Sequence, residues 1–197
     1  MAAHGRVGRV VSAGTACNTM NIRLLRTTED DLDFVLSAEQ SAKNRSFVSV
    51  WEREQHLGAL TSKDLSHLII ENITDGNRVG YIILAGLADA NQSIEFRRIV
   101  VTEKGKGYGK EALRLVKKMA FQELKAHRLW LDVKEHNVRA RHVYESEGFV
   151  AEGVLRDCIK VEGGFESLVV MSMLCGEYRD AQPGSAPDRP QAASHQA

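Results

Sequence analysis

Apolar and polar positions along this chain alternate with period two in some segments and recur near every 3.6 residues in others, which predicts interleaved strands and helices. Residues 21–25 read as a first strand. Thr28 then stands as a helix cap before three acidic residues, and Leu32, Val35 and Leu36 form the buried stripe of the helix that follows. A shorter helix is predicted over residues 51–59, after a loop containing Lys43, Asn44, Arg45 and Phe47. Residues 68–71 and 78–84 are aliphatic runs around Thr74-Asp75-Gly76-Asn77, a hairpin signal. Residues 94–101 form a further strand, expected to pair antiparallel with that hairpin.

The second half continues the alternation. A glycine-rich turn opens a long helix to about Leu124. Next come a strand over 128–133 and a short helix that Asn137 caps and Gly148 ends. Two strands, 149–156 and 166–174, finish the pattern around Val161-Glu162-Gly163-Gly164, the second apolar enough to be covered on both faces. The class is α/β (α+β), with a mixed central sheet flanked by helices and no internal repeat.

At 197 residues and 43% hydrophobic content the chain has room for one domain with a real core. A formal net charge of zero argues against a general nucleic-acid binder or a binder of anionic membranes, and no apolar run approaches the ~20 residues of a membrane span. Cys17, Cys158 and Cys175 lack metal or redox spacing, and the seven histidines show no ligand pattern, so a cytoplasmic setting and no metal site are expected. Residues 1–19 are small, basic and free of acids, and read as a disordered extension or a transit signal. Pro183, Pro187 and Pro190 mark a disordered tail over 181–197, leaving 20–180 as the folded unit.

Two segments carry chemistry. Lys104-Gly105-Lys106-Gly107-Tyr108-Gly109-Lys110 lies between the β-branched run Ile99-Val100-Val101-Thr102 and a helix. A glycine turn there bares backbone N–H groups at the positive end of the helix dipole, where a phosphate or diphosphate binds. It is no Walker loop, because Glu111 follows Lys110 and no hydroxyl is available for magnesium. About thirty residues on, Asn137, Ala140 and Tyr144 fall on one helical face, a polar cap, a small residue and a phenol in line.

Together these segments resemble the GCN5-related N-acetyltransferase (GNAT) superfamily. Its first signature, Arg/Gln-x-x-Gly-x-Gly/Ala, is met by Lys104, Gly107 and Gly109 with lysine in the first place. Its second, Asn-x-x-Ala-x-x-x-Tyr-x-x-x-Gly-Phe, is met at every position by Asn137, Ala140, Tyr144, Gly148 and Phe149. The resemblance spans about residues 20–178. It implies about seven strands, with a V-shaped opening between the fourth and fifth where acetyl-CoA sits as co-substrate. Lys104, Gly105, Lys106, Gly107, Tyr108, Gly109 and Lys110 would hold the diphosphate, main-chain groups of Ile99, Val100 and Val101 would pair with pantetheine, and Asn137 and Ala140 would complete the cofactor site. A backbone amide of that strand could also donate to the developing oxyanion.

Tyr144 matches the family position that protonates the departing thiolate. Glu95 lies where several members carry a base, although a pair with Arg97 or Arg98 is the competing reading; Glu71 is a second choice, and Glu103 balances the loop's charge. Cys158 and Cys175 have no adjacent base, which favours direct attack over an acyl-enzyme. Arg156-Asp157, Gly163-Gly164 and Val170-Met171-Ser172-Met173-Leu174 look like the branch that acetylates ribosomal-protein N-termini, an ending that spermidine acetyltransferases share. The expected acceptor is therefore a primary amine, a protein N-terminus or a small molecule. A polyamine acetyltransferase or a non-catalytic acyl-CoA-binding module are the alternatives, and the assembly is a monomer or homodimer. Phe47 and Trp51 are candidates to line the acceptor pocket; Glu52, Glu54 and Glu162 are the carboxylates a polyamine could use.

Overall fold

The computed structural model describes residues 21–45 and 47–182. The extension expected over 1–19, Met20, and the tail beyond residue 182 lie outside them. The order along the chain is β1 (Ile22–Arg26), a 3₁₀ turn (Glu29–Asp31), α1 (Leu32–Gln40), α2 (Arg53–Thr61), β2 (Leu65–Asn72), β3 (Arg78–Ala85) and β4 (Ser93–Val101). Then follow α3 (Tyr108–Lys118), a π-helical turn (Met119–Glu123), β5 (Arg128–Lys134), α4 (Val138–Ser146), β6 (Val150–Val161), β7 (Gly164–Leu174) and α5 (Cys175–Asp180). No helix among the described residues is long and apolar enough to cross a membrane.

The strands form one seven-stranded sheet in the order β1-β2-β3-β4-β5-β7-β6. Every neighbouring pair is antiparallel except β4 and β5. The period-two pattern of β3 sorts its side chains cleanly. Ile82 and Leu84 join the larger core with Leu113 and Val116 of α3, while Tyr81 and Ile83 join Val35 and Ala38 of α1 on the opposite face. Gly80 allows β3 and β4 their close approach, since a Cβ there would lie 2.2 Å from the Val100 carbonyl oxygen.

Three expectations are corrected. The start of α1 is a 3₁₀ turn in which the Asp31 carboxylate accepts from the Thr28 N–H (2.7 Å) and hydroxyl (2.8 Å), because Asp31 is also held by Arg78 at 2.5 Å. Leu36 is only half-buried, and the stripe runs through Leu32, Val35, Ala38 and Glu39 instead. The strand expected to stop at residue 156 continues to Val161 after an irregular stretch at Asp157, whose φ is 49°.

One carboxylate joins α3 to the end of α4. Glu147 receives Lys110 (3.2 Å), Arg114 (2.9 Å) and Lys117 (2.9 Å), which lie at i, i+4 and i+7 on α3. Burial pushes this carboxyl's pKa up, but hydrogen bonds from Arg114 and Lys117 with the charge of Lys117 outweigh it and bring the value to about 2. A depressed carboxyl stabilises the fold above its unfolded pKa and loses that contribution as pH falls toward the folded value. The shift corresponds to about 3 kcal/mol, and discounting the solvent-exposed partners leaves about 2 kcal/mol. Glu147→Gln should therefore lower stability by about that amount at pH 7 and flatten its decline between pH 5 and 2, read by urea unfolding across pH.

Candidate active site

β4 and β5 pair at only three positions, Ser93↔Arg128, Ile94↔Leu129 and Glu95↔Trp130. Immediately beyond, β4 carries one extra residue relative to β3, since Ala85 faces Glu95 whereas Ile83 faces Arg98. Such a bulge bends its strand. The bend swings residues 96–101 away from β5 and opens the sheet into the V expected between the fourth and fifth strands. Among the described residues the β5-facing edge of Ile99, Val100 and Val101 is thereby left without a strand partner, and such an edge can pair with an extended chain by main-chain hydrogen bonds.

The glycine turn closes one end of this opening. Gly105 and Gly107 have φ of 85° and 83°, and Gly107 is the N-cap of the eleven-residue α3. A Cβ at either would meet nothing within 4 Å, so the space over the turn is clear for an anion, and the residues present fit a diphosphate. A Cβ at Gly109 would come into ordinary contact with Val101, at 3.8 Å. Tyr108 could contribute only its backbone to such a site: its ring is buried in the larger core and its hydroxyl accepts from Asn72 at 3.2 Å. Lys110 turns back to Glu147, and Lys106 lies 3.7 Å from Glu103. Lys104 has no acidic partner among the described residues, and its pKa is lowered by burial and by the charges of Arg139 and Lys43.

On α4, the Asn137 side chain accepts from the Ala140 N–H at 3.2 Å and fixes the helix start. Ala140 and Tyr144 then lie against the larger core. The Tyr144 ring contacts Phe96 edge-on (6.5 Å) and Phe149 (6.0 Å), and its hydroxyl makes no hydrogen bond among the described residues. Burial, then the charge of Asp132, raises its pKa to about 12.

The other side of the sheet is lined differently. Ile94 and Leu129 point into the larger core, so Glu95, its partner Trp130, and Asp132 two residues on share the opposite face. Glu95 is gripped by Arg97 through Nε (3.0 Å) and Nη2 (2.6 Å), the competing reading of that residue. Asp132 has no hydrogen bond or ion pair among the described residues. Burial and the charge of Glu95 raise its pKa, against a smaller lowering by Arg97. Glu71 is paired with Arg23 at 2.5 Å on the outer strands, away from the opening.

Of the two aromatics proposed for the acceptor pocket, Phe47 is exposed and reaches across to the His136 ring at 6.1 Å, bridging the loop before α2 and the loop after β5. Trp51 is built into the smaller core. Its backbone N–H donates to Glu39 (2.9 Å), and Arg98 stacks 4.5 Å above its ring.

Glu39 is fully buried, and pattern reading missed it. It receives Arg98 at 2.5 Å and the Tyr81 hydroxyl, with His56 Nε2 at 3.4 Å; His56 in turn meets His67 (3.1 Å), which meets Thr27 (2.8 Å). Burial raises the Glu39 pKa, but its contacts with His56, Tyr81 and the Trp51 N–H, and the charge of Arg98, bring it to about 2. His67 is held neutral, at about 4, by burial and by the charges of His56 and Arg98. Asp132 was also missed. A glutamate on an apolar helical stripe, and an aspartate in an alternating strand, were the available signals.

Residues 21–150 match the acetyltransferase (GNAT) domain model. The chain is 28% identical over 172 residues to a spermidine N(1)-acetyltransferase of Vibrio cholerae, covering 81% of this chain and 97% of that protein. It is 33% identical over 116 residues to a candidate ribosomal N-acetyltransferase, YdaF of Bacillus subtilis, covering 58% and 63%. Its fold is similar to that of the Vibrio cholerae spermidine N-acetyltransferase solved with CoA and spermine, with a TM-score of 0.73 over 80% of this chain and 98% of that one, at 23% identity.

Proposed function

The chain belongs to the GNAT family and is an acetyl-CoA-dependent N-acetyltransferase, and on that premise we propose that its acceptor is a primary amine of a small polyamine. The observation that carries this reading is Asp132, a carboxylate with no partner among the described residues, beside the Arg97-paired Glu95 on the acceptor side of the opening, where a cationic amine would be drawn in. The spermidine acetyltransferase relative, aligned over nearly its whole length, supports it. Glu52, Glu54 and Glu162 are all exposed; the first caps α2 and the last sits in the β6–β7 turn, so they add little to that attraction.

The residues divide the work as follows. The amides of Gly105, Gly107 and Gly109 grip the diphosphate, and the free edge of Ile99, Val100 and Val101 aligns the pantetheine arm. Tyr144 stands on the cofactor side as the donor to sulfur. A peptide N-terminus is the second reading. It is favoured by the YdaF match and by the exposed Phe47, an apolar contact for a peptide side chain.

Mass spectrometry of acetylated products and assay of released thiol test the reading on spermidine, spermine and ribosomal-protein N-terminal peptides. The expected result is monoacetylated polyamine with kcat/KM at least about tenfold above any peptide, a preference of about 1.4 kcal/mol. A peptide preference of the same size would reverse the assignment.

A further inference from the structure

The stretch from Lys43 to Trp51 crosses the opening in the sheet. At one end the Trp51 ring lies under Arg98 of β4, at 4.5 Å, and near its middle the Phe47 ring meets His136, in the loop after β5, at 6.1 Å. Among the described residues its hydrogen bonds to other elements go to the last turn of α1. The Asn44 side chain donates to the Ala38 carbonyl at 2.8 Å, and the Trp51 backbone N–H donates to Glu39 Oε2 at 2.9 Å. Phe47 and Val50 are exposed. The stretch is a wall with apolar side chains to offer and few points that fix it.

The two oxygens of Glu39 serve different walls. Oε1 takes Arg98 Nη1 at 2.5 Å and the Tyr81 hydroxyl, whereas Oε2 takes the Trp51 N–H. Arg98 immediately precedes Ile99, where the open edge of β4 begins, and its backbone is set by pairing with Ile83 of β3. The strand is therefore held by the sheet, while the 43–51 wall depends on the carboxylate. Resting on the acetyltransferase reading above, we propose that Glu39 is a positioning residue for the acceptor: it seats the 43–51 wall at a fixed distance from the open edge of β4, and so sets the depth at which the amine is presented.

The hydrogen-bond inventory explains why a carboxylate stands there. It offers an acceptor oxygen to each side, whereas an amide offers one oxygen and turns an NH₂ donor toward another donor. Glu39→Gln therefore cannot serve both Arg98 with Tyr81 and the Trp51 N–H. Arg98 and Tyr81 are anchored in paired strands and keep the one oxygen, so the tie released is that of the wall. Small displacements of a positioning wall are costly, since a shift of about 1 Å can lower a rate by about 10²-fold.

The test uses the full chain with Glu39→Gln and, as control, Tyr81→Phe, which removes one donor to the same carboxylate and leaves the Trp51 tie intact. Kinetics with spermidine and ribosomal-protein N-terminal peptides, calorimetry of CoA binding and amide hydrogen exchange are measured where every variant is folded. Glu39→Gln should raise the KM of the acceptor that is turned over about tenfold and keep the CoA dissociation constant within about twofold. Its Trp51 amide should exchange at least about tenfold faster while the amides of β3 and β4 keep their rates. Glu39→Asp retains the charge beside Arg98 but is too short to span both sides, and should show the same split. Tyr81→Phe should lower the melting temperature and leave that KM unchanged. A parallel loss of acceptor and CoA affinity, or a KM raised as much by Tyr81→Phe, makes Glu39 a structural residue only and overturns the proposal. An unmoved Trp51 amide overturns it as well. If wild-type protein acetylates neither spermidine nor peptides, the acetyl-transfer reading fails by itself, and amide exchange still decides whether Glu39 seats the wall.

Discussion

Tyr144→Phe is expected to lower kcat at least tenfold while leaving CoA affinity nearly unchanged, because the substitution removes the donor atom and retains the ring packed on Phe96 and Phe149. General acid–base contributions usually span about 10²–10⁴-fold. A phenol near pKa 12 stays protonated throughout the neutral and alkaline range, so no loss of activity below about pH 11 should trace to it. Full transfer from such a phenol to a thiolate of ordinary pKa, ~8.5, is uphill by about 5 kcal/mol. A hydrogen bond that strengthens as the C–S bond breaks avoids most of that cost. Steady-state kinetics with calorimetry of CoA binding checks both halves: an unchanged kcat would remove Tyr144 from the reaction, and a parallel loss of CoA affinity would make it a binding residue.

Arg98→Ala should cost about 3 kcal/mol of stability. Arg98 is 7% exposed and Glu39 fully buried, so truncating the cation strands a buried carboxylate, a change that typically costs about 3–5 kcal/mol. The lower end applies because the Tyr81 hydroxyl and the Trp51 N–H still serve Glu39. The melting temperature should fall by about 6–12 °C for a chain of this size. Replacing both members, Arg98→Met with Glu39→Gln, should recover much of the loss, since no uncompensated charge remains. A double variant as unstable as Arg98→Ala would show that packing of Arg98 on Trp51, rather than its charge, is what matters.

Much of the architecture was legible because it rests on local chemistry. The Thr74-Asp75-Gly76-Asn77 turn, the glycines before α3 and the Asn137 cap each require one backbone conformation and announce it in residue type. The seven strands and the opening between the fourth and fifth followed from the pattern together with the paired motifs. The bulge in β4 was not legible, because an extra residue shows only against the register of β3. The fates of the charged residues were hidden for the same reason. Glu95 and Asp132 look equivalent in sequence, and only the placement of Arg97 beside one makes the other available. Tyr108 reads as part of an anion loop, yet its ring turns inward, where the core takes its apolar body and Asn72 donates to its hydroxyl. Lys110 likewise belongs to the motif by position and to Glu147 by contact.

The three-cation grip of Glu147 makes the glycine turn and the phenol parts of one rigid block, since α3 begins at the first and α4 carries the second. On the proposed division of roles, the block would work as a fixed gauge between the anchored end of the donor and its reactive end. Remodelling the opposite wall for a new amine leaves that gauge untouched, so acceptor choice can drift in evolution without recalibrating the leaving group.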